Sequence, residues 1–417
     1  MSEATAKRRV RRSVTAAAKP EVGALAILGG APLFQSPKST SNLVRPDFER
    51  FLRYAEPLFA PGGAGGDAIV ALMERRFAEF HRARHCIAFA NGFWALVSAI
   101  KTLALPGRSE LVMPSLTYRR MADVAAWAGL KPRFCEVDPR SLAAGPREME
   151  ACIGEETALL LAVHPIVNCC DAAGLTALAR RCGLPILFDS VESVYEWVGE
   201  GKVGAFGDAE CFSLHASKLI NGFEGGYVTT GDAAVAARLA MARDLGRDAA
   251  GHTVYAVGIN SRLSPIHAAM ALAGLDALDD QVAHNRRIYE SYRKALAGFA
   301  GIRLLAFDER HPTSFKNIVV ELTRDWPLSR ADTIAILNAE GVLARAYYHP
   351  ALHRKHMAYP HVPAELPLTD ALAERFILMP SGHFIEPVDV ERIVALLGLL
   401  AADAEEIAAR LAAKRAA

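Results

Sequence analysis

Four short stretches decide the fold: Pro185-Ile-Leu-Phe-Asp189, Gly204-Ala-Phe-Gly-Asp208, Glu210-Cys-Phe-Ser-Leu-His-Ala-Ser-Lys218 and Gly222-Phe-Glu-Gly-Gly226. An apolar run, Pro185–Phe188, ends in a carboxylate. A second run, Glu210–Leu214, is followed by a lysine. Apolar runs of this length bounded by glycines and polar residues read as buried strands. Working outward, similar runs occur at Cys86–Phe89, Glu110–Pro114, Arg133–Val137, Ala158–Val163 and Tyr227–Thr230. Helical patterns lie between most of them, as at Trp94–Leu103, Arg119–Ala128 and Leu175–Arg181. Strands alternating with helices predict a mostly parallel sheet covered on both faces, the α/β class. Pro61-Gly-Gly-Ala-Gly-Gly66 reads as a flexible loop ahead of that domain.

Downstream, a long helical region over Pro265–Ala297 leads to a smaller C-terminal unit. That unit has a strand-like Asn317–Glu321, a helix near Ala331–Glu340, a strand-like Val342–Tyr348 and a helical end from Asp389. The expected division is a basic, disordered leader over 1–24, a large domain over 25–280 carrying an N-terminal arm, and a small domain over 281–417. The 417 residues include 47 Lys plus Arg and 46 Asp plus Glu, for a net charge of +1. Such a balance offers no global field for nucleic acid or an anionic membrane surface. No apolar run approaches the roughly 18 residues of a bilayer span. The seven cysteines form no C-x-x-C. They read as buried thiols of a reducing, cytoplasmic compartment rather than a disulfide frame.

A carboxylate at one strand end and a lysine just past the next strand fit a pyridoxal phosphate (PLP) site. The ring nitrogen of that cofactor needs an anion to stay protonated, and its aldehyde needs a lysine. Its phosphate needs hydroxyls and backbone N–H groups at a helix N-terminus.

The sequence resembles the DegT/StrS family of sugar aminotransferases, PLP enzymes of fold type I, over about residues 25–400. The landmarks are Leu25-Ala-Ile-Leu-Gly-Gly-Ala-Pro32, Asn91-Gly92, Met113-Pro-Ser-Leu-Thr-Tyr118, Glu136-Val-Asp138, Val163-His164 and Phe188-Asp-Ser190. They continue with Gly204–Asp208, Phe212-Ser213, Lys218, Glu224-Gly-Gly226, Gly258-Ile-Asn-Ser-Arg262 and Leu378-Met-Pro380. The run from Phe212 to Gly226, with Arg345-Ala-Tyr347, is most similar to the branch that aminates C4 of nucleotide-linked 4-keto-6-deoxy sugars.

The resemblance implies an aspartate aminotransferase-like large domain with a seven-stranded sheet and a smaller α+β domain. It implies that Lys218 is the Schiff-base lysine and proton shuttle, that Asp189 pairs with the ring nitrogen and that Ser213 binds the phosphate. Gly92 and the backbone of Phe93 correspond to the phosphate-cradling turn, and Tyr118 to an aromatic stacked on the ring. Asn260 corresponds to a residue that reaches the neighbouring subunit's phosphate, so a homodimer with shared active sites is expected. The implied reaction moves an amino group from L-glutamate to a keto sugar nucleotide in two half-reactions. His164 and His215 are expected to be structural or rim residues. His349, His353, His356 and His361 have no common zinc spacing and are expected in the substrate loop or on the surface.

Two positions depart from the family pattern. Where it has Asp-x-x-Gln or Asp-x-x-His, this chain has Asp189-Ser-Val-Glu192, and Glu192 is expected either to be protonated and donating or to turn away. Where it has a small hydroxyl residue after Asn91-Gly92, this chain has Phe93-Trp94, so Ser213 and backbone N–H groups must hold the phosphate. Lys218 argues against the sugar dehydratases of this fold, which lack the lysine. The competing readings are a PLP enzyme acting on a cyclitol or other ketone, one with a non-transaminating outcome, and a non-catalytic regulatory protein of the same fold.

Overall fold

The computed structural model describes residues 19–41, 47–60, 65–248, 250–255 and 258–416. The basic stretch and the glycine-rich stretch singled out above thus lie largely outside the described residues.

The large domain is built on seven strands: β1 (His85–Phe89), β2 (Glu110–Pro114), β3 (Lys131–Cys135), β4 (Thr157–Val163), β5 (Ile186–Asp189), β6 (Ala209–Ser213) and β7 (Gly226–Thr230). Their order across the sheet is β1-β7-β6-β5-β4-β2-β3. β7 alone runs against the direction of the other six strands, antiparallel to both β1 and β6, and all other pairs are parallel. Because β7 is flanked by β1 and β6, the carboxyl ends of the six other strands lie along one edge, where the amino end of β7, Gly226, joins them. Asp189 pairs in register with Val163 and Cys211, and Ser213 with Gly226. The connections after β1, β2, β4, β5 and β6 therefore converge on that edge, the usual place for a ligand in an open α/β sheet.

Both sheet faces are covered. Strands β2 and β4 are buried almost end to end, and such strands carry near-continuous apolar sequence rather than alternation. One face packs on helices α2 (Gly92–Leu103), α3 (Met121–Trp127) and α5 (Ala233–Arg243). The other packs on α1 (Gly65–His81), α4 (Ala172–Cys182) and α6 (Pro265–Asp276). The expected single long helix is two, α6 and α7 (Leu278–Ala295), which meet at Ala277.

The C-terminal unit holds an antiparallel sheet of β8 (Ile302–Leu304), β9 (Ile318–Leu322), β10 (Arg345–Ala346) and β11 (Phe376–Met379), ordered β8-β9-β11-β10. Helices α8 (Arg330–Ala339) and α9 (Pro387–Ala402) contribute to its core. The N-terminal arm, expected with the large domain, packs on this unit instead. Val22, Leu25, Leu33 and Phe34 are buried in its core, and Lys38–Ser39 pairs with Val342–Leu343. The buried Glu340 accepts from the N–H groups of Ala26 and Leu33 and pairs with Lys19. Residues 19–24, within the span expected to be leader, thus pack on this unit.

Candidate active site

The helix N-terminus supplies the first part of the site. Asn91 caps α2: its side chain accepts from the Trp94 N–H at 2.9 Å and its carbonyl from Ala95. The first N–H groups of a helix have no partner within it. Those of Gly92 and Phe93 stand at the sheet edge beside Ser213. The packing here is close. A Cβ on Gly92 would lie 3.0 Å from Ser213 Cβ, and one on Gly226 would lie 2.5 Å from the Gly92 nitrogen. Glycine at both positions lets two N–H groups, a hydroxyl and the positive end of a helix come together. That arrangement binds phosphate.

Asp189 ends β5 and is 6% exposed. Its carboxylate accepts from the Val191 N–H at 3.1 Å. Burial pushes its pKa up to about 6, against the pull of that hydrogen bond and of the Lys218 charge. A buried carboxylate held this way favours a cationic partner, and a protonated pyridine nitrogen is one.

The turn after β6 aims Lys218. The Lys218 N–H donates to the His215 carbonyl, Ala216 to Phe223 and Gly222 to Leu214. His215 serves this turn, with Nδ1 2.9 Å from Ser217 Oγ and Nε2 3.8 Å from Glu224. Lys218 Nζ lies 2.5 Å from Glu192 Oε1. On its other oxygen Glu192 accepts from Lys316 Nζ and, at 3.2 Å, from Asn317 Nδ2. The two lysines hold the Glu192 carboxyl well below the usual carboxylate range despite burial. Glu192 thus stands as an ionised carboxylate shared by Lys218, Lys316 and Asn317. Glu192 in turn keeps the Lys218 pKa raised against desolvation.

The buried His164 stacks on Phe188 with centroids 5.7 Å apart and accepts from the Cys170 N–H through Nδ1. Its Nε2 is buried without a hydrogen-bond partner, and burial pulls its pKa down to about 3.

Tyr118, 47% exposed, follows β2 and lies close enough to affect the Lys218 charge. With Phe93, Arg120, Asp123, Trp127 and Tyr359 it lines an open cavity of about 660 Å³. The Phe93 ring meets Trp94 edge-on at 5.5 Å, and Trp94 meets Trp127 at 5.3 Å. Where the family pattern has a small hydroxyl residue, this chain builds an aromatic wall. Asn260 is exposed, and the carbonyl of the adjacent Ser261 accepts from the Ala90 N–H just before the cradle.

The four C-terminal histidines do not gather. His353 Nδ1 lies 2.7 Å from Ser115 Oγ, tying its loop to the end of β2, and Nε2 lies 3.2 Å from Asp370. His349 pairs with Glu374, and His361 with the Tyr359 carbonyl.

The residues present thus fit PLP: a candidate phosphate cradle, a buried anion for the ring nitrogen and a half-buried lysine share one sheet edge. Sequence reasoning missed Lys316, Asn317 and Tyr348, and it quoted Tyr347 only within the Arg345–Tyr347 stretch, with no role; the buried Tyr347 and the half-buried Tyr348 both lie within reach of the Glu192 charge. No motif marks Lys316, Asn317 or Tyr348. They arrive from the C-terminal unit through tertiary packing.

Comparison with known proteins agrees with this geometry. The sequence profile described as the DegT/DnrJ/EryC1/StrS aminotransferase family matches residues 65–398. GDP-perosamine synthase of Caulobacter vibrioides is 30% identical over 330 residues, covering 78% of this chain and 88% of that protein. L-glutamine:2-deoxy-scyllo-inosose aminotransferase of Streptomyces lividus is 34% identical over 224 residues, 51% of this chain and 53% of that protein. The crystal structure of DesI in the presence of its TDP-sugar product superposes with a TM-score of 0.86 at 32% identity, covering 93% of this chain and 99% of that one. With the profile matched across most of its length and a fold shared almost end to end, this chain belongs to the DegT/DnrJ/EryC1/StrS family of aminotransferases.

Proposed function

We propose that this aminotransferase uses PLP to move an amino group from L-glutamate to the keto group of a nucleotide-linked deoxysugar. The observation that carries this reading is the convergence of Lys218, Asp189 and the Gly92–Ser213–Gly226 cradle on one sheet edge. The likeness to DesI and to GDP-perosamine synthase supports the substrate class. When bound, the cofactor supplies an electrophilic aldehyde and a protonated ring that accepts an electron pair from the substrate carbon.

The chain's own residues do the rest. Ser213 Oγ and the N–H groups of Gly92 and Phe93 would hold the phosphate, and Asp189 would keep the ring nitrogen protonated. Tyr118 would pack against the ring. Lys218 Nζ would hold the aldehyde and, when free of it, would act as the base that takes the α-proton of the amino donor and as the acid that returns it. The same Nζ serves the second half-reaction in reverse. The cavity beside Tyr118 and Phe93 has the size of a small-molecule site and receives the sugar nucleotide. Asn260 reaches the phosphate of a second subunit, so the working form is a homodimer. The free cysteines are consistent with a cytoplasmic setting.

Lys218→Ala tests the reading. The wild type should bind PLP with the visible absorbance of a lysine-bound aldehyde and lose that band on adding the amino donor. The variant should lack the band and turn over at least ~10²-fold more slowly. Retention of both the band and full turnover would overturn the assignment. The match to the scyllo-inosose enzyme motivates a second reading, a cyclitol ketone as acceptor with L-glutamine as donor. A panel of keto sugar nucleotides and cyclitol ketones, run with each donor, separates the two.

A further inference from the structure

The Glu192 contacts join the two structural units at the site. Glu192 follows β5 in the large domain, and Lys316 and Asn317 lie directly before β9 of the C-terminal unit. Lys316 is 3% exposed, and its amine donates to Glu192 Oε2. Such a buried cation is costly without a paired anion.

The segment carrying Lys316 is fixed from several sides. The Ser314 N–H and Oγ donate to the Glu196 carboxylate at 2.9 and 2.7 Å, and Asn285 Nδ2 donates to the Ser314 carbonyl at 3.2 Å. Asn317 Nδ2 also reaches the Ile166 carbonyl at 3.4 Å. Between them Phe315 has φ +49°, left-handed backbone that a bulky residue rarely adopts. Its ring is buried against Tyr289 and Phe307, each at 5.2 Å. Packing holds this unfavourable conformation, and the kink falls directly before Lys316. Strain of this kind gathers where a side chain must be placed.

We propose that Lys316 is a positioning residue that keeps Glu192 charged and in place while Lys218 leaves it and returns. The proposal rests on the reading of Lys218 as the cofactor lysine. Once Lys218 Nζ is taken up in a bond to the aldehyde carbon, it is no longer a free ammonium that Glu192 can pair with. The carboxylate is then buried with Lys316 as its cation and Asn317 as its neutral donor. Among the described residues, Asp189, Tyr347 and Tyr348 also lie within reach of its charge, and none of these three supplies positive charge. Without Lys316, forming the cofactor bond would strand an anion beside Asp189. A glutamine at 192 would need no such cation.

The test is a double-variant cycle read by PLP affinity, titrated through the visible band of the full-length chain after cofactor removal. Lys316→Met should weaken PLP binding at least about tenfold, the scale of one buried charge left unpaired. Glu192→Gln in the Lys316→Met background should restore affinity to within about threefold of Glu192→Gln alone. Packing loss at Lys316 would persist in both backgrounds, so the rescue separates charge from shape. If Lys316→Met does not fold, the comparison of Glu192→Gln with the double variant still decides: equal affinities support the proposal. An equal loss on removing Lys316 in both backgrounds, or no loss in either, would overturn it. A wild type with no visible band would instead overturn the reading of Lys218, and this proposal with it.

Discussion

Replacing Asp189 by asparagine should make the cofactor-free protein more stable, and increasingly so as pH rises. In the folded chain burial moves this carboxyl from 3.8 to about 6. An acid whose folded pKa lies above its unfolded value costs folding free energy once ionised. That cost is absent below the unfolded pKa, grows through the interval and is complete above the folded pKa. From these two values the cost is roughly 2 kcal/mol at pH 5 and roughly 3 kcal/mol at pH 8. Asparagine keeps the shape and can still accept from the Val191 N–H, but it never ionises. The amide swap also has a pH-independent effect through that hydrogen bond, so the diagnostic quantity is the change with pH. The Asp189→Asn variant should gain on the order of 1 kcal/mol relative to the wild type between pH 5 and pH 8. Glu210, buried with its pKa raised to about 7, titrates in the same window but is common to both proteins and cancels. Urea unfolding of the full-length, cofactor-free chain at the two pH values measures the difference. With PLP bound the order should reverse, because the ring nitrogen supplies the missing cation and only the carboxylate can pair with it. A stability difference that is flat with pH, or one that favours Asp189 as pH rises without cofactor, would refute the uncompensated carboxylate.

Two further outcomes follow from the cradle. Gly226→Ala should weaken PLP binding more than tenfold with little loss of fold, since its Cβ would press 2.5 Å from the Gly92 nitrogen and displace the phosphate-binding turn; titration of the visible band reads this. Phe93→Thr should tighten PLP about fivefold by adding a hydroxyl, worth about 1 kcal/mol. The same change should lower the urea midpoint, because the edge contact with Trp94, worth about 0.5–1.5 kcal/mol, is lost.

Much of this is legible in the chain itself. Asp189 and Lys218 stand at ends of apolar runs, and a titratable residue at a strand end of a parallel sheet falls at the ligand edge whatever the strand order. Glycines 92 and 226 are readable for a similar reason, since close backbone approach tolerates no side chain. The stretch 265–297 reads as one helix because its residues stay compatible with helix through Ala277, apolar all round before it and amphipathic after it. Strands β8, β10 and β11 are two to four residues long and too short to carry a period of their own.

What the sequence by itself determined was therefore local: the alternation of strands and helices, the carboxylate and lysine of the site, and the balanced charge that leaves an anionic cofactor to local donors. Tertiary structure alone decided how distant pieces meet. It placed β7 antiparallel between β1 and β6, and it laid the N-terminal arm on the C-terminal unit through Glu340, more than 300 residues away from Ala26 and Leu33. It also turned Glu192 from an expected misfit into an ionised link between Lys218 and Lys316, 124 residues further along the chain. The physical reason is that periodicity and turn chemistry act over a few residues and leave a pattern in sequence. The ionisation state of a buried carboxylate depends on which charges folding brings within a few ångströms of it, and no local pattern records them.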